Sequence, residues 1–552
     1  MRLLQNLIIA GVGLGAALLP GGRAMAQDAV ALSGQVSSAE EGAMEGVLVN
    51  ARRDGSSITT TVVSDDKGHY AFPAGRLAPG HYAVSIRAVG YQLDGPGSVD
   101  VATGTTADLK LNKTKKLASQ LSNGEWLMSL PGADKQKAFL TQCVGCHTLQ
   151  RIVSSTHDAA EFEQLFRRMA GYSPGSTPLH PQPLLPGPRG ERPIVAGAAA
   201  KAAAEYLASV NMSNAETWEF PLKPLARPKG RSTHVVVTEY DLPRKEAQPH
   251  DVVVDADGQV WYSDFGAQIV GTLDPKTGKA TDFAIPTLKP EQPKGSLDLE
   301  FDPDGNLWLA MMYQAGVTKF DRKTRVAEAF AMPKEWQSAS TQASMVSPNH
   351  MNVDGKVWTN DQESHANLRL DVATGRWENL GPAKDASGQQ ISGYGMPTDL
   401  DNNLYLLEFG GTSIGERNAK TGEVTIWRTP IAGSRPRRGR VDAQDRLWFA
   451  EYGGNAIALL DPSTRKIREW QLPTAWSAPY DVVPSKDGEV WTGSMLNDQV
   501  ARLDPKDDRI TEYLLPRPTN IRRVFVDDSG PRPVLWVGSN HGASIIKIEP
   551  LD

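Results

Sequence analysis

The sequence predicts a multidomain, mainly β chain: an N-terminal β-sandwich, a small α-helical domain and a C-terminal seven-bladed β-propeller. Three observations predict it. The 552 residues exceed what one core organises and suit about three or four domains of roughly 100–200 residues each. Short alternating apolar runs broken by Gly, Asp and Pro fill the stretch from Ala29 to Lys113, the pattern of antiparallel strands. An aromatic recurs at Trp261, Trp308, Trp358, Tyr405, Trp448, Trp491 and Trp536 at intervals of 43 to 50 residues, the length of a four-stranded blade.

The chain opens with Arg2, an apolar run from Leu7 to Leu19 and the small-residue site Ala24-Met25-Ala26. This reads as a cleaved secretory signal over residues 1–26. The run is short of the ~20 residues that span a bilayer, so the mature chain is expected to be periplasmic or secreted, without an integral membrane segment. Gly11-Val12-Gly13-Leu14-Gly15 lies inside the leader with no strand before it, so it is no nucleotide loop. Loss of Arg2 and Arg23 takes the formal charge from -6 to about -8. An acidic balance excludes nucleic acid as a partner, since phosphate backbones need a basic face.

Residues 27–113 carry Ser33-Gly34-Gln35-Val36, Gly46-Val47-Leu48-Val49, Asp66-Lys67-Gly68-His69-Tyr70-Ala71-Phe72, Leu77-Ala78-Pro79-Gly80-His81-Tyr82 and Gly90-Tyr91. In this order the segment resembles the carboxypeptidase regulatory-like, transthyretin-like sandwich. Tyr70, Phe72, Tyr82 and Val84 alternate as a buried face does, and Gly68 and Gly80 fall where turns need a permissive backbone. No acid pair or metal cluster stands out, so the segment reads as a structural or docking module.

The two cysteines of the chain stand together in Cys143-Val144-Gly145-Cys146-His147. Two thiols three apart on a helical turn can each add to a haem vinyl group, and the next residue offers an imidazole to the iron. A thioredoxin-like pair lacks its βαβ setting, and half a zinc site lacks a second ligand pair. A plain disulfide, like these two, does not require the adjacent His147. Residues 117–213 therefore resemble a mono-haem class I cytochrome c with covalent haem c, and export agrees with that chemistry. The candidates for the sixth iron ligand are Met169, His180, His157 and Met212. Met169 ends a helix with Phe162, Leu165 and Phe166 on one stripe; His180 lies in the extended loop Pro178-Leu179-His180-Pro181. Met169 ranks first and His180 second. A final helix near Ala196–Val210 brings Tyr206 and Leu207 to where class I cytochromes resemble one another, against the N-terminal helix.

A Pro-rich linker, residues 214–231, leads to the propeller at 232–552. The last blade stops at Ile548-Glu549-Pro550, and the strand it lacks is expected from Val237-Thr238-Glu239-Tyr240-Asp241-Leu242-Pro243, which closes the ring and removes an open edge. Pro249-His250-Asp251-Val252, Leu447-Trp448-Phe449-Ala450-Glu451-Tyr452-Gly453 and repeated Thr-Glu-Tyr/Trp-x-Leu-Pro endings resemble virginiamycin B lyase and the streptogramin lyase propellers.

Equivalent funnel positions before each aromatic, with a short gap in blade three and an insertion in blade seven, are His250, Leu297, Asn349, Tyr394, Arg437, Tyr480 and Arg522. Positions three after it are Asp264, Met311, Asp361, Glu408, Glu451, Ser494 and Ser539. Such polarity suits a pocket for a ligand with an anionic group. Arg435-Pro436-Arg437-Arg438-Gly439-Arg440 is basic, but the acids opposite favour a small molecule over nucleic acid. The lyase resemblance implies a magnesium-assisted elimination by two histidines on adjacent blades with nearby glutamates. Here His250 alone matches, between Arg522 and Leu297, and His350 falls one residue off register. Asp264, Glu408 and Glu451 remain as donors for a divalent cation such as magnesium.

Two functions follow. In the first, the chain is an exported haem c electron-transfer protein, an oxidoreductase whose funnel binds a small organic substrate or redox partner through His250, Arg437, Tyr480, Arg522 and Glu451. In the alternative, the propeller is a metal-dependent carbon-oxygen lyase with His250 as base and the cytochrome as an accessory domain.

Overall fold

A computed structural model describes residues 30–185, 195–212 and 219–552. The expected leader at 1–26 and part of the linker at 214–231 lie outside the described residues. No described helix is long and apolar enough to cross a membrane.

The N-terminal strands form two sheets around a core that includes Leu32, Val36, Val49, Tyr70, Phe72 and Tyr82. Alternation works as expected: along His69–Pro73 the odd side chains face out while Tyr70 and Phe72 are buried. Gly68 has φ +74°, and a Cβ there would stand 2.6 Å from the Val36 carbonyl oxygen. Only glycine tolerates both demands.

Seven blades then follow in chain order from residue 249, with a two-stranded ribbon, Ala383–Lys384 with Gln390–Ile391, between the third and the fourth. Blades one, two, three, five and six are plain antiparallel four-strand meanders. Blade one, for instance, runs Pro249–Val254, Val260–Asp264, Ile269–Asp274 and Lys279–Ala284. Blade four has three strands from Leu404 to Arg428, its inner edge completed by bridges from Gly395 to Leu407 and Thr398 to Leu404. Blade seven takes its outer strand from Val235–Asp241, which pairs antiparallel with Ser544–Pro550 from Val235 opposite Pro550 to Asp241 opposite Ser544. The propeller thus closes by joining the two ends of its own segment.

That closing strand is not an edge. Its other side pairs with the sandwich strand Ile58–Val63, Val237 opposite Thr61 and Tyr240 opposite Ile58. Blade seven and half the sandwich are one eight-stranded sheet. Arg87 strengthens the joint, donating from Nη2 to Asp498 Oδ2 at 2.8 Å and from Nη1 to the Leu515 carbonyl at 2.7 Å.

Between sandwich and linker lie α1 (Asn123–Ser129), α2 (Asp134–Lys137), α3 (Leu149–Val153), α4 (Ala159–Ala170) and α5 (Gly197–Val210). Ser122 and Asp158 begin α1 and α4 with reciprocal capping boxes to Glu125 and Glu161. Tyr206 of α5 meets Phe139 edge to face at 6.5 Å and donates its hydroxyl to the Pro131 carbonyl. The apolar core of these helices runs without a break into propeller residues Tyr452, Tyr480, Met495 and Leu496. The helical segment is therefore seated on the propeller.

Candidate functional site

Four blades share a local irregularity that builds the site. In blades one, five, six and seven the register of the first strand slips, between Pro249 and Val252, Pro436 and Gly439, Pro479 and Val482, and Ile521 and Val524. A bulge re-aims side chains that a regular strand would send to opposite faces. The paired residues at the slips are His250 with Asp251, Arg437 with Arg438, Tyr480 with Asp481, and Arg522 with Arg523. All eight are buried.

The expected ring holds except in blade three. Ser347 pairs with Trp358 there, as Val253 pairs with Trp261 in blade one, so Ser344 takes the ring position and Asn349 is displaced. The cause is an insertion where a gap was expected: the connection at 348–355 winds a 3-10 turn at Met351–Val353, leaving Asn349 exposed. His350 points to Thr398 Oγ1 at 2.9 Å.

His250 is fully buried, its Nδ1 2.5 Å from Asp251 Oδ1 and its ring 4.7 Å from Phe265. Burial, then Arg522 and Arg438, hold its pKa down to about 4 against the pull of Asp251. A neutral imidazole bonded to a carboxylate through Nδ1–H leaves Nε2 as acceptor, and the Tyr480 hydroxyl stands 3.3 Å away. The Tyr394 hydroxyl contacts that of Tyr480 in turn. Burial raises the Tyr480 phenol, yet Arg437, Arg522 and Arg438 outweigh it and bring its pKa below the ordinary value. Asp251, His250, Tyr480 and Tyr394 form a chain along which a proton can shift.

Beneath this layer lies a second one that the sequence reading overlooked. Arg438 grips both oxygens of Asp251 at 3.0 Å and also bonds Asp298. Arg523 grips Glu300 at 2.6 and 2.9 Å, and Arg440 reaches Glu300 at 3.0 Å and Asp481 at 3.6 Å. Its signal was present one residue after five of the seven ring positions, at Asp251, Asp298, Arg438, Asp481 and Arg523. Regular period-2 alternation along a strand would send those side chains away from the axis.

Glu451 does not join His250. Both its oxygens are buried without a hydrogen-bond donor, and burial, then Glu469 beside it, pushes its pKa up to about 9. The folded state keeps a proton that the unfolded chain releases, so the pair costs stability as pH climbs from about 4.5 toward 9. Glu451→Gln is expected to raise Tm by a few degrees at pH 8 and hardly at pH 5. Melting curves at both pH values check it, and equal shifts would rule out the charge as cause.

The expected cation site does not assemble either. Asp264 is bonded by Arg244 at 2.7 Å and Glu451 faces Glu469. Among the described residues no group of three His, Cys, Asp or Glu is placed to hold a metal ion, so Asp264, Glu408 and Glu451 do not fit magnesium.

Cys143 and Cys146 lie on and just after the 3-10 turn Ala138–Gly145, half-buried and with free thiols. Burial pushes the Cys143 thiol up to about 12. His147 Nδ1 is 3.1 Å from the Thr148 carbonyl, which leaves its Nε2 unprotonated and ligand-competent. The turn is bolted to blade seven: Asn520 Nδ2 and His541 Nε2 donate to the Val144 carbonyl at 3.2 and 2.9 Å, and Arg522 Nη2 to the Gly145 carbonyl at 3.0 Å. Met169 is the penultimate residue of α4. The hairpin after it passes Cys146, whose Sγ is 3.9 Å from the Pro174 carbonyl oxygen. His180 is exposed at the tip of that hairpin, its N–H bonded to Thr177.

Residues 290–551 match the virginiamycin B lyase family. Residues 31–113 match the carboxypeptidase regulatory-like domain. Neither matched segment includes Cys143–His147. No curated protein matches the chain. Among solved structures, a streptogramin B lyase is 21% identical, covering 58% of this chain and 99% of its own, with a TM-score of 0.49. A catalytically inactive virginiamycin B lyase from Staphylococcus aureus with quinupristin is 19% identical, covering 57% and 99%, at 0.48. The extracellular domain of a one-component system from B. thetaiotaomicron is 14% identical, covering 55% and 40%, at 0.41. The propeller and sandwich assignments rest on the strand pairing and the family matches together.

Proposed function

We propose that the chain is an exported haem c electron-transfer protein, an oxidoreductase whose propeller funnel receives a small organic substrate or a periplasmic redox partner. The observation that carries this reading is the seat of the Cys143–His147 turn on Asn520, Arg522 and His541. That seat holds the Cys143–His147 segment against the ring that contains His250 and Tyr480. Two free thiols at the required spacing and an imidazole with Nε2 available fit a covalent haem, with Met169, or alternatively His180, as the sixth ligand. A haem so held supplies one-electron transfer. The chain's own part is to orient the attachment turn and to hold or release a proton at the Tyr480 oxygen while the funnel binds the reacting molecule.

A second reading is a carbon-oxygen lyase of the virginiamycin B lyase kind, favoured by the family match over residues 290–551. In it, neutral His250 backed by Asp251 serves as base through Tyr480. Against it, the ring holds one histidine, His250, and among the described residues no carboxylate cluster is placed for magnesium.

The experiment is a screen of small organic molecules for substrate-dependent reduction of the purified exported protein. Turnover that needs an electron acceptor and ignores chelators supports the first reading. Chelator-sensitive elimination without an acceptor supports the second and overturns the first.

A further inference from the structure

We propose that Arg437 and Arg522 form a carboxylate-binding site at the top of the funnel, under the Val144-Gly145 turn, with the Tyr480 hydroxyl as a third contact. The inference rests on the proposed function only for one of its two candidate ligands, the haem.

Arg437 and Arg522 are 7% and 4% exposed, and among the described residues neither has a carboxylate partner. A buried cation without a counter-charge costs several kcal/mol. One residue further along each strand, Arg438 and Arg523 are fully compensated by Asp251, Asp298 and Glu300. The same four-arginine motif thus has a neutralised lower half and an open upper half. Acids near the upper half are spoken for: Asp264 is held by Arg244, and Glu451 is kept protonated by burial beside Glu469.

Geometry then says what anion fits. The Arg437 guanidinium carbon lies 3.8 Å from the Tyr480 ring centre, 4.2 Å from Phe409, 4.7 Å from Tyr452 and 5.0 Å from Tyr394. Its Nε is buried without an acceptor. Arg522 approaches the same Tyr480 ring at 5.6 Å and Phe265 at 5.4 Å. Arg522 Nε is taken by Asn520 Oδ1 and one Nη2 N–H by the Gly145 carbonyl, and Arg437 Nη1 faces the Met495 sulfur. The N–H groups left over on the two guanidiniums, converging on one phenol, suit a carboxylate, and aromatic walls suit the flat organic body behind it. That chemistry has two sources: the propionate of a haem held at Cys143 and Cys146, or a free aromatic acid.

The test uses the exported full chain, its Arg437→Gln and Arg522→Gln variants, and Arg437→Lys as a charge-keeping control. Benzoate binding is measured by calorimetry, and the haem midpoint potential by redox titration, in the same preparations. A free-acid site binds benzoate in the wild type, at least tenfold more weakly in each Gln variant, and to an intermediate degree in the Lys variant. A propionate site leaves benzoate unbound and lowers the midpoint potential in both Gln variants. Wild-type protein without benzoate binding, together with potentials unchanged in variants that melt like wild type, overturns the proposal. A chain that carries no haem defeats the haem reading alone, since benzoate binding still decides the site.

Discussion

Exchange of Cys143 and Cys146 together for Ala is expected to remove all acid-acetone-resistant haem and the sharp reduced c-type bands of the exported protein. A thioether needs a thiol, and these are the two thiols of the chain. The effect is all or none in the double variant, while each single variant keeps one attachment and a reduced haem yield. Under the haem c proposal, His147→Ala is expected to keep covalent haem with altered bands, because His147 is the proposed iron ligand and no attachment point. Haem stain after denaturing electrophoresis and a reduced-minus-oxidised spectrum read both results. Bands unchanged in the double variant would dismiss haem c and leave the lyase reading, which the family match already supports for the propeller.

Asp251→Asn is expected to be the most destabilising isosteric change in the propeller. Asp251 holds both arms of Arg438, receives Arg523 at 3.3 Å and fixes the tautomer of His250. Burial opposes its ionisation, but Arg438, His250 and Arg523 together keep its pKa well below the usual carboxylate range. Removing one charge from a buried network costs about 3–5 kcal/mol, enough to lower the urea midpoint of the propeller transition well beyond error. The loss should persist from pH 6 to pH 8, since Asp251 stays ionised throughout that window. A midpoint within error of wild type would show that Asp298 and Glu300 already suffice for Arg438 and Arg523.

Much of the fold was legible because propellers and sandwiches repeat. The aromatic at each blade's second strand, the closing strand before blade one and the alternation of Tyr70 with Phe72 are local patterns that burial enforces directly. Blade three misled because an insertion of turn residues shifts the ring without disturbing the aromatic, so Asn349 was read in place of Ser344. The charged lower layer was missed for a different reason. Regular alternation assigns Asp251, Arg438, Asp481 and Arg523 to the face opposite their neighbours, and the bulges that turn both inward come from packing around the axis. Glu451 was misplaced by the converse error, because equivalence along the repeat does not fix which side of a blade a carboxylate meets. The cysteine motif is visible in the sequence, whereas its docking on Asn520 and His541 depends on contacts across almost 400 residues of chain.

The sheet shared by blade seven and the sandwich bears on the order of assembly. As the chain emerges amino-terminus first, Val235–Asp241 must wait for Ser544–Pro550, some 300 residues later, before its ladder is complete. An unpaired strand of such apolar and β-branched residues is an invitation to intermolecular pairing. In the folded chain the sandwich strand Ile58–Val63 covers one side of that strand and the last blade covers the other, so the closure seam of the propeller has no open side.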